Sequence, residues 1–316
     1  MKVLVTGGAG FIGSHLGETL LRRGEQVVIV DNFNSYYSPA RKRRNVAGML
    51  KHPDVRLYEA DVRDHAALTE IFEQEKPDKV AHIAAMAGVR YSIEQPQLYQ
   101  EVNVGGTLAV LEASRKHGVR SLVLASSSSV YGTDCQAPFR EDAPCARPIS
   151  PYAATKRAAE LLAYTYHHLY GLPITCLRFF TVYGPRGRPD MAPYLFLDWI
   201  VRGEPLRFFG HGHRRDFTYI DDIVAGVQAA LDADLPYEII NLGNSHTIPV
   251  EEFIALIEEI VEKRANIVPL PHAPGDVPLT HADIGKARRL LGFDPQTPVA
   301  MGMERFYQWY REEVEG

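Results

Sequence analysis

The feature of the sequence that most constrains the fold is a glycine-rich turn near its start. The stretch VLVTGGAGFIGSHLGETLL places Gly7, Gly10 and Gly13 between a β-rich run and a helical stretch. Glycine permits a tight turn there, and main-chain N–H groups at the start of the helix can then approach a pyrophosphate. Asp31 closes the next β-rich run, about 20 residues further on, as a dinucleotide-binding fingerprint requires. The turn therefore predicts a nucleotide-binding βαβ unit.

Short β-rich runs alternate with helical stretches along the first half of the chain. The runs include KVLVTG, QVVIVD, KVAHIAA and SLVLASS, and the helical stretches include HLGETLLRRG and TLAVLEASRKHG. Such alternation is typical of parallel strands joined by helices. Ile174 to Phe180 predicts another buried strand, RRDFTYIDDIVAGVQAALDA predicts a strand or turn followed by a helix, and EIINLGN predicts a strand that rejoins the sheet.

These patterns predict an α/β fold, with a Rossmann-like doubly wound parallel sheet and a smaller C-terminal α/β substrate domain. Residues 1–180 are expected to form the dinucleotide-binding domain, together with a returning segment at about 217–246. Residues 181–316 are expected to form the substrate domain, with a helix at Val250 to Lys263 and a proline-rich loop at Pro269 to Pro278.

Composition narrows the classes of partner. The chain has 316 residues, 46% of them hydrophobic, and a formal net charge of −5, so it has no overall positive field that would favour nucleic acid or an anionic membrane. No apolar stretch long enough to span a bilayer and no charged leader is found, which predicts a cytoplasmic protein. Cys135, Cys145 and Cys176 lack the paired spacing of a zinc or redox motif and are expected to be reduced thiols.

Asp31 predicts NAD as the cofactor, because a carboxylate accepts hydrogen bonds from ribose hydroxyls and repels the 2′-phosphate of NADP. The basic run RKRR, Arg41 to Arg44, is close enough in sequence to reach an adenosine phosphate, although such runs are more often a solvated helix face. Asp61 and Val62 end the third β-rich run and are expected to lie near the adenine.

A tyrosine and a lysine share one face of the helix that begins SPYAATK. Tyr152 and Lys156 are four residues apart and therefore neighbours on a helix. A tyrosine has a pKa of about 10, so it acts as a base near pH 7 only if nearby cations favour the phenolate. Lys156 and an oxidised nicotinamide ring can supply that charge. Ser126 to Ser129 follow a predicted strand, where a hydroxyl can relay a proton or hold a substrate oxygen.

With these residues in the order serine, tyrosine, lysine, the chain resembles the extended short-chain dehydrogenase/reductase family. Within it, the sequence is most similar to the nucleotide-sugar epimerases of the UDP-glucuronate 4-epimerase group. The resemblance covers essentially the whole chain and is carried by DNFNSYYSPARKRRN, AGVRYSIEQP, SSSSVYG, SPYAATK, LRFFTVYGPRGRPDM, RRDFTYIDDI and PGDVP at Pro274 to Pro278. Met86 is a departure, because related sequences usually have glutamine there.

The resemblance implies a reaction and a set of site residues. Tyr152 would take the proton of the sugar 4-hydroxyl while tightly bound NAD accepts and returns a hydride at C4, so that the configuration inverts without net oxidation. The implied catalytic residues are Ser127, Tyr152 and Lys156. The implied cofactor-binding residues are Gly7, Gly10, Phe11, Ile12, Gly13, Asp31, Asn32, Asp61, Val62, Ala84, Ala85, Asn103, Ser126, Tyr152 and Lys156.

The substrate side of the site is implied by the same resemblance. The implied UDP-sugar-binding residues are Ser127, Ser128, Ser129, Thr181, Arg186, Arg188, Phe209, Arg215 and Asp276. A 4-keto hexuronate is a β-keto acid and loses CO2 readily when its carboxyl bond aligns with the carbonyl π system. Ser128, Ser129 and Thr181 are neutral donors suited to hold the carboxylate in another orientation. The resemblance also implies a homodimer, built on the Tyr152 helix and the helix near Thr107 to Lys116.

Other interpretations stay open. Epimerisation of neutral UDP-glucose and UDP-galactose uses the same scaffold, and so does decarboxylation of UDP-glucuronate, although decarboxylases usually place an acid beside the active hydroxyl and SSSSVYG has none. A catalytically inactive NAD-binding regulator would not need the intact base.

Asp221 and Asp222 are expected to cap a helix. His211 and His213 lack metal-ligand partners at suitable spacing and are expected in a loop near the phosphates.

Overall fold

The structure is a computed structural model that describes residues 1–209, 211–271 and 275–315, with the side chain of Glu315 left out. Pro274, the first residue of the PGDVP motif, lies outside the described residues. Among the helices of the described ranges, none is both long and apolar enough to cross a bilayer.

The strands of the described ranges come in chain order as follows: β1 Lys2–Thr6, β2 Gln26–Asp31, β3 Val55–Glu59, β4 Lys79–His82, β5 Ser121–Ser127, β6 Ile174–Phe179, β7 Thr181–Tyr183, β8 Pro205–Phe209, β9 Arg214–Tyr219, β10 Tyr237–Leu242, β11 Thr247–Pro249 and β12 Asn266–Leu270. The α-helices of the same ranges are α1 Phe11–Arg22, α2 Pro39–Ala47, α3 His65–Glu75, α4 Val89–Glu94, α5 Pro96–Tyr99, α6 Thr107–Lys116, α7 Pro151–Tyr170, α8 Ala192–Arg202, α9 Ile220–Ala233, α10 Val250–Val261, α11 Gly285–Leu291 and α12 Val299–Tyr310. The same ranges also contain short 3₁₀ turns at Met49–Lys51 and Ser128–Tyr131, and π-helical segments at Gln100–Gly106 and Arg311–Glu315.

The large sheet is parallel and has the strand order β10-β6-β5-β4-β1-β2-β3. Its inner strands are buried almost throughout, because both faces of the sheet are covered. Alternate residues of β1 show this directly: Val3 and Val5 belong to one buried cluster, whereas Leu4 belongs to the cluster on the other face. The predicted α/β fold with a Rossmann-like doubly wound sheet is confirmed.

The chain leaves the large sheet after β6 and returns to it once. β7 and β9 pair in parallel, β11 pairs antiparallel with β9, and β8 pairs in parallel with β12. These two small sheets contain strands β7, β8, β9, β11 and β12, all of which follow residue 180. β10, within the stretch EIINLGN, pairs with β6 from Tyr237 opposite Ile174 to Leu242 opposite Phe179, so this later strand forms one edge of the large sheet.

Asp221 and Asp222 lie in the first turn of α9, but the predicted capping is wrong. Tyr219 is the N-cap residue of this helix, and no side chain caps it. The Asp222 carboxylate instead accepts hydrogen bonds from the main-chain N–H groups of Gln296, at 3.1 Å, and Thr297, at 3.2 Å. Both carboxylate oxygens of Asp222 are therefore bonded to a loop that is distant in sequence. Asp221 and Asp222 stabilise α9 only through the interaction of their charge with the helix dipole.

Candidate active site

The glycine turn lies where the strand order of the large sheet reverses. β1 has β2 on one side and β4 on the other, and a crevice opens at the carboxyl ends of the strands at such a point. Gly7 has a φ of +67°, and a Cβ there would lie 2.8 Å from the Cα of Ala84. A Cβ on Gly13 would lie 2.2 Å from the carbonyl oxygen of Gly7. The turn therefore requires glycine, and no side chain separates its main chain from a ligand.

This crevice opens into a cavity of about 330 Å³, the size of a small-molecule site. Most residues predicted to bind the cofactor line it, namely Gly7, Gly10, Phe11, Ile12, Gly13, Asp31, Asn32, Val62, Ala84, Ala85, Ser126, Tyr152 and Lys156. A glycine cradle, the N-terminus of α1 and a buried acid at the end of β2 are the features that a dinucleotide needs. The residues present therefore fit NAD.

Asp61 and Asn103, also predicted for the cofactor, lie outside the cavity lining. The Asp61 carboxylate accepts from Asn32 Nδ2 at 2.8 Å and from Arg63 Nη2 at 2.9 Å. Burial raises the pKa of Asp61, but the hydrogen bonds from Arg63 and Asn32, together with the Arg63 charge, lower the pKa to about 2. The Asn103 amide holds Met86, accepting from its N–H at 2.8 Å and donating to its carbonyl at 2.9 Å. Met86 itself is buried and lines the cavity.

Asp31 and Lys42 form a buried charge pair in the cofactor half of the cavity. Asp31 accepts hydrogen bonds from the N–H groups of Ala9, at 3.1 Å, and Phe33, at 2.8 Å. Lys42 Nζ lies 3.9 Å from an Asp31 oxygen and donates to Asn34 Oδ1 at 3.0 Å. Burial raises the pKa of Asp31 and lowers that of Lys42. The basic run is thus only partly a solvated face, because Lys42 points inward.

Tyr152 is held in the other half of the cavity. Its ring packs edge-on against Tyr99, with centroids 6.1 Å apart. Burial raises the pKa of Tyr152, whereas a hydrogen bond with Ser127 and the charge of Arg188 lower it. The sequence pattern assigned the lowering charge to Lys156 together with an oxidised nicotinamide, and the structure adds Arg188 as a cation that lowers the pKa of Tyr152.

Lys156 is buried in the cavity lining, and its side chain reaches from α7 to β5. Its Nζ donates to the carbonyl oxygen of Ala125 at 2.7 Å. Burial lowers the pKa of Lys156 to about 8, and the negative charge of Glu160 opposes this shift. Glu160, one helical turn further on, accepts from Ser126 Oγ at 2.6 Å and from Arg178 Nε at 2.8 Å. The end of β5 and helix α7 are therefore fixed to each other by charged side chains.

The residues predicted for the sugar separate into two groups. Ser127, Ser128, Ser129, Thr181 and Arg188 line the cavity with Tyr152, whereas Arg186, Phe209, Arg215 and Asp276 do not. The 3₁₀ turn Ser128–Tyr131 follows β5 directly. At its start, the Ser127 hydroxyl accepts a hydrogen bond from the N–H of Ser129 at 3.2 Å. Hydroxyl donors and one guanidinium therefore line the same cavity as the Tyr152 phenol.

Arg186 and Arg215 differ in what they contact. Arg186 Nη2 pairs with Glu18 of α1 at 2.7 Å, which directs it away from the cavity lining. Arg215 Nη2 donates to Asp276 Oδ1 at 2.8 Å and lies 3.2 Å from His213 Nδ1. Two residues predicted for the UDP end thus contact each other directly, with a histidine beside them.

Phe209 and the remaining histidine, His211, have partners of their own outside the cavity lining. The guanidinium of Arg90 lies 4.0 Å above the centre of the Phe209 ring. His211 is exposed and its Nδ1 lies 2.8 Å from Glu251 Oε1. Across the described part of the chain, no group of three or more His, Cys, Asp or Glu side chains could hold a metal ion.

Several residues that line the cavity were not predicted from the sequence as site residues. Among them are Asn34, Tyr36, Tyr37, Lys42, Val89 and Met191. Tyr36 and Tyr37 stand in the quoted stretch DNFNSYYSPARKRRN, so the motif contained the signal, but no chemical pattern distinguished the two tyrosines. Burial raises the pKa of each to about 12, which keeps both as neutral phenols that can donate hydrogen bonds.

Comparison with known proteins agrees with this geometry. Residues 3–243 match the profile of the NAD dependent epimerase/dehydratase family. The chain belongs to this family. A UDP-glucuronate 4-epimerase of Thermodesulfobacterium geofontis is 46% identical over 314 residues, covering 99% of this chain and 97% of that protein. The predicted family resemblance is confirmed.

Solved structures of the epimerase/dehydratase family have the same fold. UDP-glucuronic acid 4-epimerase from Bacillus cereus, crystallised with UDP-glucuronic acid and NAD, superposes with a TM-score of 0.93 at 36% identity, covering 99% of each chain. UDP-glucose 4-epimerase from Thermus thermophilus, crystallised with NAD, has a TM-score of 0.91 at 33% identity, covering 99% of this chain and all of that one. Relatives of both substrate types therefore share this architecture.

Proposed function

We propose that the protein is an NAD-dependent UDP-glucuronate 4-epimerase, an isomerase that interconverts UDP-glucuronate and UDP-galacturonate. The observation that carries the proposal is one cavity in which a glycine cradle for a dinucleotide meets Tyr152, Ser127, Thr181 and Arg188. Relatives named UDP-glucuronate 4-epimerase, at 44–46% identity, support the choice of substrate.

In this proposal the chain's own residues move one proton and orient the sugar. NAD bound at the glycine turn would accept the C4 hydride and return it to the opposite face. Tyr152 takes the proton of the 4-hydroxyl and later gives it back, with Ser127 as its hydrogen-bond partner. Arg188 favours the phenolate, because an adjacent cation stabilises the charged form. Lys156, charged below pH about 8, adds positive charge beneath the site.

The sugar carboxylate needs a restraint of its own. The proposed intermediate is a 4-keto uronate, which loses CO2 when its carboxyl bond aligns with the ketone. Ser128, Ser129 and Thr181 line the cavity as hydroxyl donors, and we assign them the task of holding the carboxylate out of alignment. Arg188 adds a charge-assisted donor on the same side.

The UDP end is assigned to the segments after residue 180. Arg215 supplies positive charge for the diphosphate. Asp276 is paired with Arg215 in this structure. When a phosphate replaces this carboxylate beside the guanidinium, Asp276 can accept hydrogen bonds from the ribose hydroxyls. Phe209 is assigned to the uracil. Arg186 is assigned an indirect role, because its ion pair with Glu18 holds the 184–191 segment against α1. In domain terms, residues 1–180 with about 217–246 hold NAD and the remainder of 181–316 hold the UDP-sugar.

We also infer a homodimer in the cytoplasm. Helices α6 and α7 leave Leu108, Leu161 and Tyr164 exposed at 38%, 53% and 51%, and exposed apolar side chains on adjacent helices suit a symmetric interface. The three cysteines are free, which fits a reducing compartment. Light scattering of purified protein tests the dimer; a Leu161→Glu variant should be monomeric, and a monomeric unmodified protein would contradict the inference.

The proposed activity is tested by incubating purified protein with UDP-glucuronate and, separately, with UDP-glucose. UDP-galacturonate as the single new product supports the proposal. UDP-xylose would indicate decarboxylation, and conversion of UDP-glucose without conversion of UDP-glucuronate would make the neutral-sugar epimerase the better description. An inactive protein that binds NAD would point to a regulator.

A further inference from the structure

Three side chains meet across the mouth of the cavity. Tyr36 comes from the segment after β2, on the cofactor side, whereas Arg188 and Asp190 come from the segment between β7 and α8, on the sugar side. The Tyr36 hydroxyl donates to Asp190 Oδ2 at 2.9 Å. Arg188 Nε donates to Asp190 Oδ1 at 3.0 Å, and Arg188 Nη2 donates to Asp190 Oδ2. One carboxylate therefore joins the two walls.

A glycine next to this junction leaves room for the three side chains. Gly88 has a φ of +100°, and a Cβ there would lie 2.9 Å from the Tyr36 hydroxyl and 3.4 Å from Arg188 Nη2. The Arg188 guanidinium also lies 5.7 Å from the centre of the Tyr36 ring. The three side chains thus rest on a glycine, with no side chain beneath them.

Tyr36 and Arg188 line the cavity, whereas Asp190 lies behind them and does not. Any contribution of Asp190 to the site must therefore act through its two partners. Burial raises the pKa of Asp190, but the charge of Arg188 and the hydrogen bonds from Arg188 and Tyr36 together lower it below its usual value. The carboxylate is then ionised at neutral pH, so its hydrogen bonds to both partners are charge-assisted.

We propose that Asp190 is a positioning residue, whose carboxylate clamps Arg188 to Tyr36 and so closes this mouth of the cavity over the bound dinucleotide. This inference rests on the proposed binding of NAD at the glycine turn. It explains how a cofactor can stay in place through repeated cycles in which it undergoes no net change. The clamp must open for the dinucleotide to leave.

The test measures the rate at which NADH leaves the protein. Protein loaded with NADH is mixed with excess NAD, and the fluorescence of bound NADH is followed for unmodified protein, Tyr36→Phe, Asp190→Asn and the double variant. Each single change removes part of a charge-assisted hydrogen-bond network and should speed release by about tenfold. The double variant should release NADH no faster than either single one, because both changes break the same clamp.

A matched control is available on β3. The Tyr58 hydroxyl donates to the carboxylate of Glu75 at 2.6 Å, away from the cavity lining, so Tyr58→Phe deletes the same kind of bond and should leave the release rate unchanged. Release rates within twofold of the unmodified protein in Tyr36→Phe would overturn the proposal, and so would rate increases that multiply in the double variant. If Asp190→Asn does not fold, Tyr36→Phe alone decides. Failure of the unmodified protein to bind NADH would instead overturn the proposed cofactor site.

Discussion

The two halves of the cavity are built in different ways. The cofactor half is formed by main chain packed against main chain, with Gly7 against Ala84 and Gly13 against Gly7. The sugar half is formed by charged and hydroxyl side chains, such as Arg188 and Thr181, whose positions depend on hydrogen bonds from distant segments. Backbone packing leaves no room for substitution, whereas a side-chain network can be adjusted one group at a time. We therefore expect changes in the cofactor half to abolish binding and changes in the sugar half to alter products or rates.

The largest effect is expected where the two halves meet. Tyr152→Phe removes the proposed base but keeps the ring that packs on Tyr99, so the rate of epimerisation should fall by about 10³-fold or more while NADH binding is retained. Steady-state rates and a fluorescence titration measure the two quantities. Tyr166→Phe, which removes a hydroxyl from the same helix, is the control. Loss of activity together with loss of NADH binding would mean that the halves are not separable.

Gly13→Ala tests the cofactor half alone. The added methyl would meet the Gly7 carbonyl oxygen at 2.2 Å, which no rotamer change relieves, so NADH affinity should fall by about 100-fold, equivalent to about 2.7 kcal/mol. Gly105→Ala is the matched control, because a Cβ there meets nothing within 4 Å. A fluorescence titration that finds equal affinity for both variants would contradict the view that this half is fixed by its backbone.

The pH dependence tests the charge beneath the site. Burial lowers the pKa of Lys156 to about 8, so the lysine is mostly charged at pH 7 and loses its proton as the pH rises through that value. Epimerase activity, as kcat/KM, should therefore decline above pH about 8, approaching about tenfold for each further pH unit. Circular dichroism over the same range separates this decline from unfolding. A kcat/KM that stays level to pH 10 would show that the Lys156 charge is not needed.

The smallest effect is expected from one hydroxyl of the sugar half. Thr181→Val keeps the shape of the side chain but removes a proposed donor to the uronate carboxylate, so the fraction of UDP-xylose among the products should rise by several-fold or the KM for UDP-glucuronate should increase similarly. Product chromatography and initial rates detect either result. Thr69→Val on α3, where the hydroxyl is exposed and bonded only to its own helix, serves as the control. Unchanged products and KM would remove Thr181 from the carboxylate site.

The sequence could predict what depends on local order along the chain. The glycine turn, Asp31, and the pair Tyr152 and Lys156 each lie within a single βαβ unit or helix, so their spacing alone placed them. Tyr36 and Asp190 are 154 residues apart, and Arg186 and Glu18 are 168 apart. No period or motif relates such pairs, because they meet only once the sheet has assembled.

The same reason explains two further differences between pattern and structure. Lys42 stands in a basic run whose composition favours solvent, but α2 turns it toward Asp31, where the pair is buried. Asp222 stands where acids often cap a helix, but the loop at residues 296 and 297 takes both of its oxygens. Composition indicated which charges were present, and tertiary contacts decided which neighbour each one binds.

The isotope at C4 of the sugar distinguishes internal hydride transfer from proton exchange with water. UDP-glucuronate is converted by the purified holoenzyme in D2O, and the UDP-galacturonate formed is analysed by NMR. Internal hydride transfer predicts that hydrogen at C4 remains protium, because hydride moves within the cavity and only the 4-hydroxyl proton passes through Tyr152 to solvent. Deuterium at C4 of the product would contradict it, since C4 would then have exchanged a proton with water.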